Sequence, residues 1–212
     1  MKSPKVTVID YESGNIRSVT QALSKIGAQP NVTSNHQEIL SSAAIILPGV
    51  GSASQAMREL NKRELLTPIK EFISTGKPFL GICLGLQILL DKSEEGNTDC
   101  IGVIPGTVKH FKTNLKIPHM GWNTVQIEEN HPIFDSIENE EYFYFVHSYF
   151  AAPTEQENIL GSTQYGNTTF CSVAVKDNVI ATQFHPEKSG SIGLRVYKNF
   201  VEHVQAVDAG SL

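Results

Sequence analysis

Phe79-Leu80-Gly81-Ile82-Cys83-Leu84-Gly85-Leu86-Gln87 sets a cysteine between two glycines where an apolar run gives way to helical spacing that continues to Leu90. The pattern is that of a buried strand turning sharply into a helix, with the nucleophile-elbow arrangement carrying Cys in place of Ser. A turn this tight brings backbones together, and Gly81 and Gly85 remove the side chains that would collide there. A cysteine on such a turn sits at a helix N-terminus, where the macrodipole favours a negatively charged sulfur. The same residues also fit an inert core cysteine on a glycine-rich strand end, so the segment alone does not separate the two.

Working outward, Lys5 to Asp10 is a β-rich run, and Ile16, Val19, Leu23 and Ile26 follow at helical spacing, closed by Gly27. Pro30 to Thr33 and Ala43 to Leu47 repeat the apolar theme, and helical stretches lie between Ser52 and Thr75. Apolar runs with few polar interruptions, alternating with helices, predict parallel strands covered on both faces, with ligands held at their carboxyl ends. The loops after Leu47 and Ile82 are therefore where chemistry is expected. From about Gly102 the texture becomes β-rich, and a last helix is predicted from about Ser191 to Val207. The expectation is an α/β chain with a mixed sheet: a mainly parallel core, antiparallel additions, helices on both faces, and one domain over residues 1–212.

Composition narrows the function classes. The 212 residues are 40% hydrophobic and 18% charged, and 17 basic against 22 acidic residues give a formal charge of -5. No Lys/Arg stripe interleaved with aromatics appears, so no nucleic acid is expected as partner. The opening apolar run is cut short by Asp10 and Glu12, which predicts neither a secretory signal nor a membrane span and places the chain in the cytoplasm. Cys83, Cys100 and Cys171 lack CxxC spacing, and His36, His110, His119, His131 and His203 share no metal-ligand spacing. Neither a disulfide framework nor a metal site is predicted.

A thiolate acting on an amide needs a proton shuttle so that the amine leaves neutral. Gln183-Phe184-His185-Pro186-Glu187-Lys188 supplies an imidazole with a carboxylate two residues on, and on extended backbone those side chains point the same way. Alone this segment would read as a strand end with a chance His and Glu. Beside the elbow it completes a triad of Cys83, His185 and Glu187. Pro48-Gly49-Val50-Gly51 follows the neighbouring strand and can aim backbone N–H groups outward, so Val50 and Leu84 are candidate oxyanion donors, although the tetrapeptide also fits a plain tight turn. Glycine on both sides of Val50 leaves that loop free to turn its peptide units. His147 lies in an aromatic-rich strand and reads as a structural or pocket-lining histidine rather than a second acid/base.

GICLGLQ, PGVG and QFHPEKS together resemble the triad (class I) glutamine amidotransferase family, in order and spacing over nearly the whole chain. Pro118-His119-Met120-Gly121-Trp122-Asn123 and Phe143-Tyr144-Phe145-Val146-His147-Ser148-Tyr149, with Asp10-Tyr11 and Gly14-Asn15, resemble the branch of glutaminase subunits that feed a cyclase. The resemblance implies a flavodoxin-like core, Cys83 as nucleophile, His185 as acid/base, and Glu187 as its orienter. It implies a pocket for L-glutamine lined by Gly49, Gly51, Gln87, Ser148 and Tyr149, with no cofactor. For the branch it implies a heterodimer with a cyclase subunit built on a (β/α)8 barrel, and Trp122, Asn123, Tyr144 and Lys188 around an ammonia exit. Two positions depart from the pattern: Glu12, where glycine is usual, and Ala181-Thr182 ahead of QFHPEKS. The alternatives are a glutaminase subunit of another pathway, against which PHMGWN argues, and a non-catalytic regulatory subunit on the same fold.

Overall fold

The computed structural model describes residues 4–210. The first half runs β1 (Val6–Ile9), α1 (Ile16–Lys25), β2 (Asn31–Thr33), α2 (His36–Leu40), β3 (Ala44–Leu47), α3 (Ala53–Lys62), α4 (Leu66–Ser74), β4 (Phe79–Ile82) and α5 (Leu84–Gln87). After it come β5 (Lys92–Ser93), β6 (Thr98–Asp99), β7 (Gly106–His110), β8 (His119–Ile127), β9 (Glu141–His147) and β10 (Tyr149–Pro153). The chain closes with β11 (Ile159–Tyr165), β12 (Thr168–Lys176), β13 (Val179–Thr182) and α6 (Gly190–Asp208).

The strands β2-β1-β3-β4-β13 pair in that order and all are parallel. With β13 in fifth place this is the flavodoxin-like order. Every residue of β1, β3, β4 and β13 is buried, as the near-continuous apolar runs required of a sheet covered on both faces. The two-residue period still sorts the side chains: Val6, Val8, Ala44 and Ile46 face a core shared with α1 and α6, whereas Ile9, Ile45 and Leu47 face the one shared with α3 and α4. Each valine, isoleucine or leucine among them contributes about 1.5–3 kcal/mol when fully buried.

Beyond β13 the sheet turns antiparallel through β12, β10 and β7, and β11, β8 and β9 branch from β12 as a further antiparallel layer. The predicted run from Tyr142 to Phe150 is split by Ser148 into β9 and β10. This break matters for the site, because it turns the backbone of Ser148 and Tyr149 toward the carboxyl ends of the parallel strands. Among the described residues no helix is long and apolar enough to cross a membrane.

Candidate active site

The loops that leave β3, β4 and β13 at their carboxyl ends meet around one cavity of about 320 Å³. Cys83, directly after β4, has φ 54° and ψ -103°, a backbone region that L-residues avoid. A non-glycine residue held there indicates local strain of order 1–3 kcal/mol that the surroundings must enforce. They do so through the Cys83 N–H, which donates to Thr182 O at 2.6 Å, and the Cys83 carbonyl, which accepts from the N–H groups of Leu86 and Gln87. The helix that follows is only four residues long, shorter than the run to Leu90 suggested, because Ile88 begins a series of turns.

The two glycines that flank the cysteine have the steric reason expected of them. A Cβ on Gly85 would lie 2.1 Å from the Leu47 carbonyl oxygen, and one on Gly81 would lie 3.0 Å from Ala181 Cβ. Gly85→Ala would therefore push β3 and the Pro48 loop away from α5. A loss of about 3 kcal/mol is expected, because backbone has no rotamer with which to relieve the clash; thermal unfolding measures it, and a melting temperature like that of the unmodified chain would contradict the packing described.

His185 is buried, and its Nδ1 lies 2.8 Å from Glu187 Oε1. The residues Pro186 to Lys188 form a 3-10 turn, so the extended-backbone route to this contact is corrected: the carboxylate curls back under the ring across a turn. The turn is pinned to β9, since the His185 N–H donates to Tyr144 O and Ser189 Oγ bridges His185 O and the Tyr144 N–H. Glu187 Oε1 also accepts from Asn15 Nδ2 at 3.1 Å, and Oε2 accepts from the Tyr197 hydroxyl at 3.4 Å. Burial is the largest influence on both partners and favours their neutral forms. It is outweighed in His185 by the adjacent Cys83 sulfur and the Glu187 carboxylate, which hold the imidazole pKa well above its ordinary range. In Glu187 the His185 contact and Asn15 outweigh it and hold the carboxyl below its usual range. Among the described residues no nitrogen or oxygen partners the buried His185 Nε2, and the Cys83 sulfur is near enough to raise the imidazole pKa.

The cavity wall includes Cys83, His185, Val50 and Leu84, together with Gly51, Gln87, Ser148 and Tyr149. Gly49 does not line it but stands behind the wall, where a Cβ would lie 2.6 Å from Tyr11 Oη and 2.8 Å from Leu84 Cβ. Tyr11 Oη donates to Pro48 O at 2.8 Å, tying the first loop to the glycine loop. Gly51 has φ 99°, which only glycine adopts at ease. Glu12 stands at φ 68°, where the glycine usual in the resemblance would be unstrained; its carboxylate meets the Arg63 guanidinium.

Sequence reasoning missed Glu95, Pro118 and Val146 in the wall and Asn15, Gln183 and Tyr197 behind it. Asn15 sat in a quoted motif without a role, and Gln183 Nε2, 3.7 Å from Cys83 Sγ, directly precedes the Phe184-His185 pair. Glu95 lies in a polar turn with no pattern to mark it. Of the predicted exit residues, Trp122, Tyr144 and Lys188 cluster: the two aromatic rings meet edge to face at 6.1 Å, and Lys188 Nζ lies 5.9 Å from the Tyr144 ring. Asn123 points to the other face of β8, toward His119 and Gln164.

A buried thiol on a strained turn, an imidazole backed by a carboxylate and a cavity with room for a small amide are the parts that a cysteine-dependent amidase requires. The model of the class-I glutamine amidotransferase family matches residues 7–204, and the chain belongs to that family. The chain is 46% identical over 196 residues to the imidazole glycerol phosphate synthase subunit HisH of Dehalococcoides mccartyi, covering 92% of this chain and 95% of that one. The HisH subunit of Synechocystis is likewise 46% identical, over 96% of this chain and 98% of its own. Among solved structures, PurLQS from Thermotoga maritima superposes with a TM-score of 0.76 at 20% identity, over 96% of this chain and 100% of that one. A glutamine amidotransferase from the same organism gives 0.62 at 17%, over 100% and 86%. These two likenesses bear on the fold alone.

Proposed function

We propose that the chain is the glutaminase subunit of an imidazole glycerol phosphate synthase, hydrolysing L-glutamine to glutamate and ammonia and passing the ammonia to a cyclase partner. The observation that carries this reading is the meeting of Cys83, His185 and Glu187 at one cavity, in a chain 46% identical to HisH subunits over nearly full length. The Cys83 thiolate attacks the side-chain carboxamide carbon, and N–H groups near Val50 and Leu84 receive the oxyanion. His185 gives its proton to the departing ammonia. It then takes one from water, which attacks the γ-glutamyl thioester and releases glutamate and the thiolate. Glu95, in the cavity wall, presents a carboxylate suited to the substrate's α-ammonium group.

On this reading the chain is one amidotransferase domain in a cytoplasmic heterodimer whose other subunit is a (β/α)8 barrel. Trp122, Tyr144 and Lys188 rim the ammonia exit, and Asn123 supports them from the inner face of β8. The test is ammonia release by the chain alone, with the cyclase subunit, and with the cyclase plus its acceptor nucleotide. The chain alone is expected to be about 10²–10³-fold slower than the complete mixture, the effect of one missing oxyanion donor. A peptide of the glycine loop can turn at modest cost at Gly51, and the partner biases it only by binding the two orientations unequally. Full activity in the isolated chain would overturn the gate, and no hydrolysis in any mixture would overturn the function.

A further inference from the structure

His119 on β8 and His147 on β9 face each other across the strand pair and are buried, yet neither belongs to the triad. His147 Nδ1 lies 2.8 Å from the Tyr149 carbonyl, His147 Nε2 lies 3.0 Å from His119 Nδ1, and His119 Nε2 lies 3.2 Å from Asn123 Nδ2. The direction of every bond follows from chemistry. A carbonyl only accepts, so His147 carries its proton on Nδ1. Burial pushes the His147 pKa down to about 3 and that of His119 down to about 4, so both rings are neutral and hold one proton each. His147 Nε2 is then a bare acceptor, His119 must donate to it from Nδ1, and the remaining His119 nitrogen accepts from the Asn123 amide.

The line does not stop at Tyr149. The same carbonyl accepts from Gln87 Nε2 at 2.7 Å, Gln87 Nε2 also donates to Gln183 Oε1 at 3.1 Å, and Gln183 Nε2 reaches Cys83 Sγ at 3.7 Å. Asn123 is itself anchored, giving a second hydrogen to Gln164 O and accepting from the Thr124 N–H. The rings pack against Phe111, Phe145 and Phe170, which shield the line from bulk water, and among the described residues the ring nitrogens have no other hydrogen-bond partner.

We propose that His119 and His147 are positioning residues: a one-directional hydrogen-bond line from Asn123 that fixes the Tyr149 carbonyl and, through it, the Gln87 amide in the wall of the glutamine pocket. A histidine pair wanted only for bulk would not be matched donor to acceptor at three successive bonds. The line also begins one residue from Trp122, so the strand whose outer face bears the exposed tryptophan holds the pocket wall on its inner face. This inference rests on the glutaminase reading for its kinetic consequence but not for its hydrogen-bond order.

The test has two parts. Imidazole ¹⁵N NMR of the full chain at neutral pH is expected to show His119 and His147 both neutral with the proton on Nδ1; the Nε2–H form of either ring overturns the line. In the complex with the cyclase, His119→Phe keeps the aromatic packing and is expected to raise KM for glutamine about ten- to a hundred-fold with kcat changed less, the scale of a misplaced binding group. His119→Asn, whose amide nitrogen can still donate to His147, should recover most of the loss. The double variant His119→Phe with Gln87→Ala should be no worse than Gln87→Ala alone, since both act through one group. Unchanged KM in His119→Phe, or losses that add, would make the pair plain core and overturn the proposal. If His119→Phe fails to fold, His119→Asn and the NMR decide. If the unmodified complex hydrolyses no glutamine, the glutaminase reading fails while the NMR still decides the hydrogen-bond order.

Discussion

Cys83→Ala is expected to abolish glutamine hydrolysis, by about 10⁶-fold, the loss typical when a catalytic nucleophile is removed from a triad, while leaving the fold and the ammonium-dependent reaction of the partner intact. The structure separates the two roles of this position. The turn is held by backbone: the Cys83 N–H on Thr182 O and the Cys83 carbonyl under the N–H groups of Leu86 and Gln87. Alanine has the same Cβ and bears the same positive φ, so the strain is unchanged. What is lost is one sulfur, which Gln183 Nε2 approaches at 3.7 Å and which acts on His185. The stability change should stay within about 1 kcal/mol, as for other changes that leave backbone and core contacts in place. The decisive measurements are glutamate release by the variant complex and synthesis from added ammonium salt. Persistent hydrolysis in Cys83→Ala, or its loss in Cys171→Ala, would reassign the nucleophile; Cys171 is buried and its thiol is pushed up by desolvation, which suits it to packing alone.

The parallel half of the fold and the meeting of Cys83, His185 and Glu187 were legible because both write themselves into short stretches. Strands buried on both faces show as unbroken apolar runs, and the elbow shows as glycines around Cys83, where Gly85 has no room for a side chain. The antiparallel half was legible only as β-rich texture. Its pairing brings Ile127 to Gly161 and His119 to His147, contacts between residues far apart in the chain that no local period encodes. The same reason hid Asn15 and Tyr197: each reaches Glu187 from another element, and neither spacing nor residue type singles it out. His147 read correctly as pocket-lining, but its partner His119 read as one more scattered histidine, because the bond between them exists only once β8 and β9 are paired. The His185–Glu187 contact was foreseen for a reason the backbone does not support. The i, i+2 spacing works here through a 3-10 turn.

His185→Ala should be nearly as damaging as loss of the thiol, whereas Glu187→Gln should cost clearly less. The difference follows from the donors around the carboxylate. Where an acid-to-amide change leaves the imidazole in the wrong tautomer, about 10⁴ in rate is lost. Here Glu187 Oε1 accepts from both His185 Nδ1 and Asn15 Nδ2, and Oε2 accepts from the Tyr197 hydroxyl. A glutamine would therefore seat its amide oxygen under the two nitrogens and its NH₂ beside the hydroxyl, which can accept. The imidazole keeps its proton on Nδ1 and its orientation, and only the negative charge is gone. A loss of about 10²–10³-fold is expected, below the wrong-tautomer figure. The charge has a second signature. The contact with Glu187 helps to hold the His185 pKa up, so the imidazolium that protonates ammonia survives to higher pH in the unmodified enzyme. Removing the carboxylate lowers that pKa, and the alkaline limb of kcat/KM for glutamine should move to lower pH, as a property of the coupled Cys83–His185 pair rather than of either group. A kcat/KM profile measured for both forms decides: an unmoved alkaline limb would mean that Glu187 orients the ring without supporting its charge, and equal, small losses in His185→Ala and Glu187→Gln would remove the triad.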